Sequence, residues 1–312
     1  MRGRSRELLG LLIVLAILML AFGLGTGRFL TIATFRTIAN QIPEAVVAAV
    51  GLTYVLVVAG IDLSVGSVLA LSSAVLGVAL ARYGLPLPVA SLVALTTGAL
   101  CGAVNGLLVV RWQVPSFIAT LGMLEMARGA TYLVTRSETQ YLGERVEGLA
   151  SASVFGLSIT FFAALALVAF AEFVLTRTVF GRYMVAIGVN EDALRMAGVD
   201  PRPVKLAVFV SSGLLAAVAG IVYTSRLASA DPNAGVGFEL STIAAVVVGG
   251  TSLMGGRGSA LGSLLGVLII AVLGSGLAQA GAQEPTKRLV TGGVIIAAVL
   301  ADHYRRSRHV AT

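Results

Sequence analysis

Charge is the scarcest thing in this sequence. Only 12% of its 312 residues are Asp, Glu, Lys or Arg, against 57% hydrophobic and a mean hydropathy of +0.95, whereas soluble domains carry about a quarter charged residues. That excludes an ordinary soluble domain. Cysteine is nearly absent: Cys101 stands alone inside an apolar run, so no disulfide framework forms and no redox compartment can be read from it. Histidine occurs twice, as His303 and His309, both in the C-terminal tail. With no H-E-x-x-H, no clustered metal ligands and no G-x-S-x-G, an intramembrane enzyme is not expected. No G-x-x-x-x-G-K-[ST] occurs either, so the chain is expected to bind no ATP, and no cofactor or metal of its own. Aromatics make up 6% and are not interleaved with basic residues, so the net charge of +7 does not read as nucleic-acid binding.

What the sequence has in abundance is long apolar runs, each able to supply the roughly 20 residues that a helix needs to cross a hydrocarbon core of about 30 Å. Hydropathy places ten spans, near 8–25, 42–60, 65–82, 87–110, 114–135, 158–176, 204–225, 239–254, 259–280 and 286–302. The fold class expected is all-α, a polytopic integral membrane protein. The N-terminus has the basic start and apolar stretch of a signal peptide, but its length and the lack of an A-x-A site favour an uncleaved span. Basic clusters collect on cytoplasmic loops. Arg2, Arg4 and Arg6, the stretch from Arg177 to Lys205, and Arg305, Arg306 and Arg308 therefore put both termini inside, which requires an even number of crossings. The segment 239–254 is short for a span, but treating it as re-entrant would turn the basic C-terminus outward, so a full crossing is expected.

Two breaks in the apolar pattern stand out. In "VVAGIDLSVGSVLAL", 57–71, Asp62 and Ser64 sit between two runs on the cytoplasmic side, where water or headgroups can solvate an acid and Ser64 can cap the following helix. The other reading is a broken helix lining a pathway. "VVVGGTSLMGGRGSALGSLLGV", 246–267, repeats the order of events: a valine run, glycine, a polar turn, then Gly-Ser. Gly66 marks the first turn, and Gly250, Gly255 and Gly258 the second. An internal repeat and independent close-packing glycines both account for this. "GALCGAVNG", 98–106, reads as a helix-packing stripe. Few ionisable groups lie inside spans. Glu125 and Arg128, three apart, are expected to neutralise each other as a local ion pair, the other reading being a substrate contact.

The segment "TRTVFGRYMVAIGVNEDALRMAGVDPRPVKLAVFV", 176–210, is too polar to cross. Asn190 is placed to cap a short helix with Glu191 and Asp192 in its first turn, Ala193 and Arg195 along it, and Gly198 ending it before Pro201. A capped, surface-parallel helix is a docking element in shape; the other reading is an ordinary interhelical loop.

These stretches, with "VPSFIATLGMLEMARG" and "ELSTIAAVVVGGTSLMGGRGSALGSLLGVLI", resemble the permease subunit of ATP-binding-cassette importers for ribose, xylose, galactose and similar monosaccharides, in order over about 40–300. The resemblance implies one transmembrane permease domain over 1–312 with a cytoplasmic coupling loop at about 177–203. It implies a homodimer in the bacterial inner membrane, ATP and Mg used by a separate cytoplasmic ATPase subunit, and an extracytoplasmic sugar-binding protein. Neither nucleic acid nor any partner beyond these and membrane lipid is implied. The coupling helix falls on Asn190 to Gly198. Importer permeases carry Glu-Ala-Ala, three residues, then Gly there, and this chain departs with Asp192, Ala193 and Leu194. Glu125 is a second departure. A neutral sugar needs hydrogen-bonding and aromatic groups, so the polar residues within spans, Tyr54, Asn105, Thr120 and Tyr223, are the candidate pathway residues, each equally readable as a helix-packing hydrogen bond. The alternatives from other classes are an ATP-independent carrier or channel for a small neutral solute and a scaffold subunit.

Overall fold

The computed structural model describes residues 2–146 and 152–310. Its helices are α1 Arg2–Thr26, α2 Ile32–Gln41, α3 Pro43–Val57, α4 Val65–Ala81, α5 Leu87–Arg111, α6 Ser116–Thr135, α7 Ile159–Arg177, α8 Val179–Met196, α9 Arg202–Leu227, α10 Phe238–Val248, α11 Ala260–Gln279 and α12 Glu284–Val310. Their starts are written locally. Proline occupies the first turn of α3, α5 and α9, where its missing N–H costs nothing. Thr31, Ser158, Thr178 and Ser259 cap α2, α7, α8 and α11 through their side-chain oxygens, each satisfying an otherwise free N–H.

The chain is a mostly helical, polytopic membrane protein, with four departures from expectation. Each expected apolar segment holds a helix, but among the described residues five helices are long and apolar enough to cross a membrane alone, and a sixth span is counted if α2 and α3, bent by 47°, are taken together. Helix α2 lies where no element was expected. Two pairs of two-residue strands interrupt the all-α plan: β1 Gln140–Tyr141 pairs with β4 Ser229–Ala230, and β2 Ser153–Val154 with β3 Leu157–Ser158, both antiparallel. The segment 239–254, expected to cross in full, is helical for only 11 residues, a rise of about 16 Å or half the hydrocarbon core. Two glycines, Gly249 and Gly250, end it, the second at φ +90°, a conformation that Gly adopts without steric cost.

Helix α9 is the axis of the bundle, packed against α3, α4 and α5. It comes close to α5 because both carry glycine at the crossing. A side chain at Gly98 would meet the Gly213 carbonyl, one at Gly102 the Phe209 carbonyl, and one at Gly213 the Gly98 carbonyl. In a membrane, where apolar contacts with a neighbour and with lipid are nearly equivalent, such backbone approach supplies the helix-packing energy.

The two ends of the bundle differ. One, the hairpin end, carries the strand pairs, the C-terminus of α9, and the N-terminus of α3, where Arg226 donates to buried Glu44 at 2.6 Å. The other, the turn end, gathers loops 58–64, 112–115, 197–201 and 249–259.

Candidate functional site

Asp62 lies in the turn between α3 and α4, and only 2% of it is exposed. The expected solvation by water or headgroups is therefore replaced by hydrogen bonds from protein. Its Oδ1 accepts from the Ser64 backbone N–H at 2.9 Å and from Ser64 Oγ at 2.6 Å, and its Oδ2 accepts from Ser212 Oγ on α9 at 2.7 Å. Ser64 does not cap α4; its hydroxyl serves Asp62 and accepts from Asn105 Nδ2 on α5 at 3.0 Å. The turn is held from a third side by α6. Ser116 Oγ accepts from the Ile61 N–H at 3.0 Å, and Thr120 Oγ1 accepts from the Leu63 N–H at 3.1 Å while donating to the Ile61 carbonyl at 3.2 Å. The carboxylate, the Ser64 hydroxyl and the α6 hydroxyls together anchor the non-helical backbone between α3 and α4 against α5, α6 and α9, which is how such backbone persists at membrane depth.

The two turns likened in sequence meet. The Gly256 N–H donates to the Val57 carbonyl at 2.9 Å, a side chain at Gly255 would strike Ala59, and one at Gly258 would strike Val57. Gly188 of α8 is wedged against both, since a methyl there would overlap the Val57 carbonyl and the Gly256 N–H. The second turn is also held from α7: Glu172 Oε2 accepts from Ser259 Oγ at 3.1 Å and from the Leu261 N–H at 3.2 Å, a carboxylate at the positive end of α11.

Helix α8 breaks at Asn190, whose backbone turns extended at φ −163° and ψ 100°. Its Oδ1 accepts from the Ala193 N–H at 2.9 Å, capping the short helix that ends before Gly198, at φ +82°. Glu191 receives Arg195 at 2.7 Å and Lys205 of α9 at 2.9 Å. Partial burial raises the Glu191 pKa, but these two cations outweigh it and hold the carboxyl below its ordinary value. Asp192, Ala193, Arg195 and Gly198 are exposed. A polar cavity of about 440 Å³ separates this short helix from the first turn, lined by Gly60, Ser116, Glu191, Asp192, Arg195 and Lys205 among others.

Of the residues proposed for a pathway, Asn105 and Thr120 join the Asp62 network. Tyr54 is buried and donates to the Ala171 carbonyl at 2.9 Å. Tyr223 lies apart near the hairpin end, its ring 5.5 Å from the Arg226 guanidinium. Gly66 packs against Gly235 and Glu239, away from the second turn. The expected Glu125–Arg128 pair is not formed: Arg128 donates instead to the carbonyls of Pro232 at 3.1 Å and Ala234 at 2.7 Å. Sequence reasoning passed over Ser212, whose serine-in-an-apolar-span signal matches any packing serine. It also passed over Glu44, Glu172 and Glu239, acids visible inside the expected spans. Among the described residues no cluster of His, Cys, Asp or Glu could hold a metal ion.

The family described as "Branched-chain amino acid transport system / permease component" matches residues 34–299. The ribose import permease protein of Haemophilus influenzae is 38% identical over 305 residues, covering 96% of this chain and 93% of that protein. The fructose import permease protein of Rhizobium meliloti is 36% identical, covering 95% of this chain and 85% of that protein. The L-arabinose ABC transporter permease protein of Azospirillum brasilense is 32% identical, covering 97% and 89%. No solved structure matches the chain.

Proposed function

This chain belongs to the family of transport-system permease components described for branched-chain amino acids, and we propose that within it the chain is the membrane pathway of an ATP-driven importer for a monosaccharide or a related small polyol or nucleoside. The observation that carries the reading is similarity over nearly the whole chain to permeases named for ribose, fructose and arabinose. Its setting is the inner membrane of a bacterium, crossed ten times with both termini cytoplasmic. Arg111, Arg177, Arg182, Arg195, Arg202, Lys205 and Arg257 fall at the turn end by sequence position, which supports a cytoplasmic turn end.

In this reading two copies of the chain pair, a separate ATPase docks on each short helix from Asn190 to Gly198, and an extracytoplasmic binding protein delivers the sugar to the hairpin end. ATP and Mg belong to the ATPase. A push on the short helix travels to α9 through Glu191 and Lys205, and along α9 to Ser212, which holds the Asp62 turn. Rigid movement of α9 with that turn opens the path to one side and closes it to the other, the alternating access expected of such a pathway.

The test is a pull-down of the tagged chain from detergent-solubilised native membranes with mass spectrometry. A nucleotide-binding ATPase in near-equal amount is the expected result, and the chain alone, in a detergent where a known complex survives, overturns the reading in favour of a carrier or channel. In the same complex, Asp192→Trp with Gly198→Trp should leave insertion intact and uncouple ATP hydrolysis from uptake. Normal transport by that double variant removes the docking role.

A further inference from the structure

We propose that Glu239 marks the aqueous solute passage halfway across the membrane and that its carboxylate accepts hydrogen bonds from sugar hydroxyls. The proposal rests on the importer reading above for the identity of its solute.

The depth of Glu239 follows from its neighbours. Asp62 is bonded to Ser212, roughly 15 Å along α9 from its start at Arg202. One helical turn beyond Asp62, Gly66 is so close to Glu239 that a methyl on it would overlap the Glu239 carboxylate and the Gly235 carbonyl; farther on, Gly220 of α9 packs against Leu69. Gly66 and Glu239 therefore sit between the levels of Ser212 and Gly220, at the middle of α9. The chain reaches this depth by an unusual route. From β4, paired with β1 at the hairpin end, residues 231–237 run non-helically back along α4, and α10 starts only at Phe238. Arg128 of α6 pins that descent through the Pro232 and Ala234 carbonyls.

Glu239 is half-buried and among the described residues makes no hydrogen bond or ion pair. Glu125, about 7 Å beyond Thr120 on α6 and so at a similar depth, is exposed and equally without a partner among them. Acids at this depth are expensive in hydrocarbon and persist where they meet water, a partner charge or a ligand. Glu239 stands in the first turn of a helix that begins at mid-depth, the geometry in which membrane transporters hold solute. An ionised carboxylate only accepts hydrogen bonds, two or more at once, which matches adjacent hydroxyls of a polyol. Arg128 is spent on backbone, so Glu239 has no counter-charge from it and meets only the positive end of α10, in whose first turn it lies.

The test uses the permease reconstituted in liposomes with its ATPase and binding protein, with D-ribose, D-fructose, L-arabinose and L-leucine as probes. Wild type should import at least one of the sugars, and Glu239→Gln, purified with a normal share of ATPase, should import it about tenfold more slowly, the loss of one charge-assisted hydrogen bond. Uptake by Glu239→Gln at the wild-type rate overturns the site. Should that variant fail to assemble, Glu239→Cys in a Cys101→Ala background decides. Reaction with a charged, water-soluble methanethiosulfonate, at a rate well above that of a control Phe170→Cys, on the exposed apolar face of α7, supports a wet passage, and reaction no faster than the control overturns it. Import of L-leucine alone defeats the sugar reading instead, while the labelling rate still decides the passage.

Discussion

Replacing Asp62 tests whether one buried carboxylate holds the broken helix pair together. Asp62→Ala removes the acceptor for three donors, the Ser64 N–H, Ser64 Oγ and Ser212 Oγ. The Ser212 hydroxyl can turn to a carbonyl one helical turn back on α9, and that of Ser64 can find another acceptor. The Ser64 N–H has no such freedom, and a stranded buried donor costs about 1–3 kcal/mol. With the weakened tie between the turn and α9 added, the expected loss is about 3 kcal/mol. Asp62→Asn retains an oxygen toward Ser64 and presents an amide to Ser212, whose oxygen can accept, so only the charge assistance is lost, about 1 kcal/mol. At about 2 °C or more per kcal/mol for a chain of this size, the melting temperature should drop by roughly 6 °C for alanine and 2 °C for asparagine. The lone cysteine serves as reporter: Cys101 is partly buried on α5, one turn from Asn105, so a thiol-reactive fluorophore in detergent reads unfolding directly. An alanine variant that melts with wild type refutes the anchoring argument. If both variants melt normally and transport is abolished, Asp62 acts in transport and not in holding the turn.

Two further outcomes follow from the turn end. Gly188→Ala should cost about 3 kcal/mol, because the new methyl meets backbone of both turns and backbone cannot swing aside; Gly122→Ala, with open space around it, is the matched control and should be neutral or slightly stabilising. Equal melting temperatures for the two variants would refute the wedge. The Glu191 contribution should depend on pH. Its folded pKa lies below the ordinary 4.5, so its stabilisation is complete above that value and is lost as the pH falls through the folded pKa. Wild type should therefore lose stability relative to Glu191→Gln only in that acid window, by less than about 1 kcal/mol because the pair is partly solvated, and melting curves from pH 7 down to about 3.5 check it. A difference that persists unchanged across the range would refute the ion-pair assignment.

Much of what could be read from residues alone has its cause within a turn or two of chain, though α2 and the local bond of Ser64 to Asp62 were missed even there. Apolar run length shows a polytopic membrane protein, since every backbone group in lipid must be satisfied within its own helix. Asn190 was legible as a cap because its acceptor serves an N–H three residues away, and the prolines and hydroxyls that start helices act over the same distance. The shared pattern of the two glycine turns was visible too, though not that they touch. Tertiary structure alone decided where the buried charges go. Asp62 looked like an acid in a solvated turn, and its second oxygen finds Ser212 150 residues away. Glu125 and Arg128 have the spacing of an ion pair, yet Arg128 reaches carbonyls 104 and 106 residues along the chain. The half-length of α10 was hidden for a similar reason: its apolar run continues into the glycine turn, and the descent before it is held by Arg128 and α4. Local propensity and hydropathy record what a segment can bury; which distant group completes an unsatisfied charge depends on how the helices pack, and that the sequence does not spell out residue by residue.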